Sequence, residues 1–113
     1  RDALHRWSRD VVGWWGGYDL LLTPTVPEVP PVLGTFAATA ADPLAGLVHS
    51  TAIVAFTAAF NVTGQPAVSL PVGEVDGLPV GVQIAGRAFD EAMVFRVGRA
   101  VEVLSGWESV ALP

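Results

Sequence analysis

The sequence predicts a mixed α/β layer whose elements run helix, strand, helix, strand, strand, helix. Three observations predict it: segments with apolar residues three and four apart, short apolar runs bounded by Gly and Pro, and an Asp-Gly pair between two such runs. From Asp2 to Trp15, Leu4, Trp7, Val11 and Trp14 recur at helical spacing, while Arg6, Arg9 and Asp10 fall largely on the other side. Asp2 reads as the N-cap of this amphipathic helix and Gly16-Gly17 as its stop. Tyr18 to Thr25 encloses the run Leu20-Leu21-Leu22, which reads as a buried strand ended by Pro24. Residues 26–41 hold Pro27, Pro30 and Pro31, then small and weakly patterned residues, so they predict an extended and then irregular loop.

Asp42-Pro43 reads as a helix start. The aspartate caps, and the proline loses no bond at a first position whose N–H is unpaired anyway. The helix is predicted to run unbroken to about Phe60 and, being apolar nearly all round, to be buried on most sides. Residues 61–66 end it. Ala67 to Val72 and Pro79 to Ala85 read as strands, the second with Val80, Val82 and Ile84 on one face. Asp76-Gly77 between them predicts an antiparallel hairpin with a longer loop. Asp90 caps a last helix, Glu91 to Leu104, with Val94, Val97, Val101 and Leu104 as its buried stripe. Arg99 and Glu102 form an exposed pair, and Ser105-Gly106 is the stop.

The length, 113 residues, allows one domain. A domain of this size buries only ~65% of the surface its unfolded chain exposes. Hydrophobic residues make up 51% of the chain and charged ones 15%, against a usual charged share of ~25%. With a mean hydropathy of +0.49, the chain is too apolar for a comfortable free-standing monomer. It is expected to be covered by something else or to be a piece of a larger protein. Intrinsic disorder is excluded, since it needs few apolar residues and many charges. The absence of cysteine excludes a disulfide scaffold, a Cys-based zinc site and a thiol nucleophile; it agrees with the cytoplasmic location expected here.

The net charge of −5 and the six scattered arginines argue against a nucleic-acid partner, which would call for clustered Lys and Arg. From Pro43 to Gly73 there is no charged residue, a stretch long enough to suggest a membrane span. His49, Ser50, Thr51 and Thr57 interrupt it and no basic flank orients it, so no membrane is expected. Residues 1–9 are charged and carry a tryptophan, unlike a signal peptide.

No catalytic constellation is present. His5 and His49 lie in different helices without acidic companions at ligand spacing, so no metal is expected, and His49 reads as a hydrogen-bonded core residue. Phosphate-loop, dinucleotide-loop and nucleophile-elbow patterns are missing. With no lysine, the chain alone supports neither Schiff-base nor Ser–Lys chemistry. On composition and spacing it is an apolar α/β piece without an evident active site.

Four stretches in order nevertheless carry a resemblance: Tyr18-Asp19-Leu20-Leu21-Leu22-Thr23-Pro24-Thr25; Phe60-Asn61-Val62-Thr63-Gly64-Gln65-Pro66-Ala67-Val68-Ser69-Leu70-Pro71; Asp76-Gly77-Leu78-Pro79-Val80-Gly81-Val82-Gln83-Ile84-Ala85-Gly86-Arg87; and Asp90-Glu91-Ala92. From about Asp2 to Trp107 the chain resembles the C-terminal portion of the amidase signature family, whose members hydrolyse carboxamides. The resemblance implies an α/β fold in which these strands join a large mixed sheet flanked by helices. It also implies an intact parent that uses a Ser nucleophile, a bridging cis-Ser and a Lys base. Those groups and the Gly/Ser-rich signature lie upstream of the portion represented by residues 1–113, so no residue here is catalytic and this piece alone is expected to be inactive. The implied partners are the N-terminal catalytic part of the same chain and a small-molecule amide; no cofactor is implied.

By the same resemblance, the helix before Asn61 borders the acyl side of the substrate pocket. Thr51, Val54 and Ala58, three and four apart, would share a face of that helix and line the pocket. Thr23 and Thr25, at the proline-bearing strand end, are the second candidates. Gly64, Pro66, Gly77, Gly81 and Gly86 are expected to serve the backbone, and Gln83 to be hydrogen-bonded inside the sheet. Two other readings stand beside this one: a non-catalytic module that associates with itself as a homodimer through its apolar face, and part of the A subunit of a tRNA-dependent amidotransferase.

Overall fold

A computed structural model describes residues 1–107, apart from the His49 side chain. The expectation that His49 is a core residue lies outside the described atoms. The elements are α1 (Asp2–Trp14), a 3-10 turn (Trp15–Gly17), β1 (Leu20–Pro24), α2 (Ala45–Ile53), α3 (Ala58–Thr63), β2 (Ala67–Val75), β3 (Leu78–Gly86) and α4 (Glu91–Ser105). The mixed α/β class stands. The third element, expected as one helix, is two short helices.

The three strands form an antiparallel sheet in the order β1-β3-β2. Val75 is the last residue of β2 and Leu78 the first of β3, so Asp76-Gly77 is the entire turn. Both turn residues have positive φ, +53° and +75°. That is the left-handed pair a type I′ turn demands, and it matches the twist of the strands it joins. The longer hairpin loop expected from the sequence is therefore replaced by a two-residue turn, because both strands extend beyond their most apolar residues. A register shift between Pro71 and Gly73 lets β2, an edge strand, accommodate a proline.

One face of the sheet is covered by α4. Gly98 is buried there against Leu70 and Val68, and a Cβ on Gly86 would stand 2.6 Å from Val94 Cγ2, so glycine is what lets the helix approach. Asp90 caps α4 as expected, its carboxylate accepting from the Met93 N–H at 3.4 Å, and Arg99 pairs with Glu102 at 2.6 Å. Of the expected stripe, Val94 is buried and Val97 and Val101 half-buried, but Leu104 is exposed, beyond the reach of the sheet. On the opposite face Trp15, Phe60 and Ala85 pack together with Leu21.

The core is small for so apolar a chain. The molecule measures 47 × 43 × 22 Å, and its radius of gyration of 16.7 Å exceeds the ~13 Å of a compact domain of about this length. It is a slab with bare apolar surfaces. Within the described residues β1 is an edge strand that alternates between half-buried and exposed positions, rather than a buried strand. In α2, Leu47 and Val48 are exposed, where burial on most sides was expected, because no described element covers them.

Two helix starts also differ from expectation. Helix α1 begins at Asp2 itself, so Asp2 lies in the first turn, where its charge suits the helix dipole, and no side chain caps the end. Asp42 accepts from the Leu44 N–H at 3.2 Å, and the helix begins only at Ala45. The aspartate closes a turn before the helix rather than capping it.

Candidate functional site

The antiparallel register places Thr23 of β1 and Ser69 of β2 directly opposite Gln83 of the central β3. Directly opposed residues project from the same side of a sheet, so these three form a polar row across all three strands. The row lies on the face away from α4, since Val68 and Leu70, the neighbours of Ser69, are the residues that meet Gly98. Gln83 is only 4% exposed. Its Nε2 donates to Thr23 Oγ1 at 3.1 Å and to the Phe56 carbonyl at 2.9 Å. One residue past β1, the Thr25 N–H donates to Gly81 O at 3.0 Å and its hydroxyl meets the Ser69 hydroxyl at 2.6 Å.

Above this row lies a cleft of about 310 Å³ bordered by Thr25, Thr57, Phe60, Asn61, Ser69 and Gln83, and none of its lining residues is charged. Two hydroxyls that share one hydrogen bond keep one proton free to donate. Together with the Asn61 amide, they can both donate to and accept from an uncharged polar group. A second cleft, about 610 Å³, lies between the sheet and residues 26–29 and is walled by Leu22, Pro24, Val26, Val72, Val80 and Val82, with Glu28 its one charged side chain. Among the described residues no three His, Asp or Glu side chains converge to hold a metal, and no helix is long and apolar enough to cross a membrane.

Thr51, Val54 and Ala58 do not share a helix face. Thr51 is in α2 and exposed, its hydroxyl spent on the Val48 carbonyl; Val54 is the C-cap of α2; Ala58 is the first residue of α3. The break lies between them. Thr23 and Thr25 lie where the polar row ends at β1, Thr23 through Gln83 and Thr25 in the cleft itself. Thr57, Asn61 and Ser69 join the cleft without having been singled out from sequence. The signal was present: Thr57 and Asn61 are four apart, the spacing of one helix face, and Ser69 alternates with Val68 and Leu70 along a strand.

A model of the family described as Amidase matches residues 1–95. The chain belongs to the amidase family. It is 45% identical over 89 residues to an uncharacterized protein in the nthA 5′ region of Rhodococcus erythropolis, covering 79% of this chain and 43% of that one. It is 37% identical to the 6-aminohexanoate-cyclic-dimer hydrolase of Paenarthrobacter ureafaciens, over 94% of this chain and 23% of the hydrolase. To the glutamyl-tRNA(Gln) amidotransferase A subunit of Dehalococcoides mccartyi it is 38% identical, over 80% of this chain and 17% of that protein. A solved structure of 6-aminohexanoate cyclic dimer hydrolase with its substrate superposes with a TM-score of 0.84 at 36% identity, over 94% of this chain and 23% of that one. The chain thus spans less than half the length of each relative, and the hydrolase structure carries the same arrangement of elements.

Proposed function

We propose that this chain is the C-terminal part of an enzyme that hydrolyses linear carboxamides, and that it supplies one wall of the substrate pocket. The observation that carries the reading is the uncharged, hydrogen-bonding cleft of Thr25, Ser69 and Asn61 in a lysine-free member of the amidase family. A neutral amide pairs best with neutral donors and acceptors, which do not bring a buried charge to be desolvated. In this reading a Ser–cis-Ser–Lys triad stands in the N-terminal part of the same protein. The lysine takes a proton through the bridging serine and the other serine attacks the amide carbon. Collapse of the tetrahedral intermediate expels the amine, and water then releases the acid from the acyl-enzyme. The residues of this chain bind and orient: Thr25 and Ser69 from the sheet side, with Thr23 behind them through Gln83, and Thr57 and Asn61 from the helix side. The protein is taken to be cytoplasmic, with no nucleic-acid or membrane partner.

The test is to express the gene with its upstream coding sequence and assay the product against a panel that includes 6-aminohexanoate cyclic dimer and simple aliphatic and aryl amides. Hydrolysis by the full-length protein and none by the 113-residue chain is expected. Failure on every linear amide, cleavage of the cyclic dimer alone, or turnover by the short chain alone would sink the proposal. The similarity to an amidotransferase A subunit supports a second reading, in which the same chemistry serves a multi-subunit complex; stable co-purification with other proteins of such a complex would favour it. A tight, stoichiometric dimer of the chain without any amidase activity in the parent would favour a non-catalytic module.

A further inference from the structure

In a continuous helix the Phe56 carbonyl would accept from the Phe60 N–H four residues on. Here the Phe60 N–H turns instead to Thr57 O at 3.2 Å, and the Thr57 and Ala58 N–H groups both converge on Val54 O, at 3.1 and 3.0 Å. The Phe56 carbonyl is thereby released from the helical ladder. Its partner comes from 27 residues away: Gln83 Nε2 donates to it at 2.9 Å, and the same nitrogen donates to Thr23 Oγ1, 60 residues from Gln83. A side-chain amide nitrogen has two protons, and the geometry spends both.

We infer that Gln83 is a positioning residue whose amide holds the α2–α3 break and the end of β1 as the two sides of the polar cleft. Thr57 follows Phe56 directly and Asn61 stands one turn further on, so fixing the Phe56 carbonyl places one side. Thr25 stands two residues beyond Thr23, so fixing the Thr23 hydroxyl places the other. An uncharged side chain with two protons on one nitrogen is what the position calls for. Glutamate and leucine have no proton to donate, and lysine or arginine would bring a charge into a position that is 4% exposed.

The placement itself stands on geometry; only its effect on substrate affinity rests on the amide-hydrolase reading. Hydrogen exchange on the full-length protein separates the two. Gln83→Met, similar in size and without donors, should speed exchange at the Thr57 and Ala58 amides about tenfold, the scale of one lost hydrogen bond, while the β2–β3 amides change less than about threefold. Thr23→Val should give a smaller change at the same amides, and Thr23→Ser, which keeps the acceptor, none. If the parent hydrolyses an amide, Gln83→Met should raise KM about tenfold and alter kcat by less than about threefold. Unchanged exchange at residues 55–61, or acceleration spread evenly over the sheet, would overturn the inference. Should Gln83→Met not fold, the Thr23→Val and Thr23→Ser pair decides it. Local acceleration in a parent that cleaves no amide upholds the positioning and removes the amide reading instead.

Discussion

The β2–β3 hairpin with α4 and the α2–α3 pair present two ways of holding an apolar segment. The hairpin is assembled from neighbours: a two-residue turn sets the register, and α4 folds back after four residues to cover one face. The α2–α3 pair has no such local instruction. It follows an irregular stretch, exposes Leu44, Leu47 and Val48, and is tied to the sheet by Phe60 in the core and by the Phe56 carbonyl, which accepts from the distant Gln83 amide. Local rules set the pairing of the first unit, whereas the shape of the second depends on what it touches. The cleft lies where the two meet.

Three substitutions break or sharpen this comparison, each read by urea unfolding of the full-length protein with exchange on β3 to locate the effect. The largest is expected at Ile84, fully buried at the sheet centre: Ile84→Ala should cost about 3 kcal/mol through lost burial and a cavity. A loss below about 1 kcal/mol would mean that the hairpin is not the stable unit. Gly77→Ala comes next, at about 1 kcal/mol, because φ of +75° disfavours any residue with a Cβ. Its signature is faster exchange along β2–β3 with α3 unaffected; if α3 loosens as much, the two units are not separable. The smallest is Arg99→Ala. The ion pair with Glu102 is solvent-exposed, so a change below about 0.5 kcal/mol is expected, in keeping with surface pairs on one helix. A larger loss would show that the outer face of α4 is covered in the intact protein.

Legibility in the sequence followed the same division. The Asp90 cap, the Arg99–Glu102 pair, the hairpin and its Asp-Gly turn were all readable because each depends on residues a few positions apart. The turn is shorter than the sequence predicts because Val75 and Leu78 join the strands only when a partner strand is present. The single helix predicted from Asp42 to Phe60 is two helices for a related reason. Between Val54 and Thr57 there is no Pro or Gly to mark an interruption, and the amide that donates to the released carbonyl lies on β3. With the helix broken, the periodicity that grouped Thr51, Val54 and Ala58 no longer applied. The strand end marks Thr23 and Thr25, and the visible spacings of Thr57, Asn61 and Ser69 give each a face but no shared cleft.

By itself the sequence determined the α/β class and the absence of any lysine base in these residues, since these follow from short-range patterns and from composition, while its ordered motifs carried the resemblance to the family. The tertiary structure alone decided where the third helix breaks and which hydroxyls face one cleft. Those outcomes depend on hydrogen bonds between residues tens of positions apart; local spacing marks which residues share a face, not which faces meet.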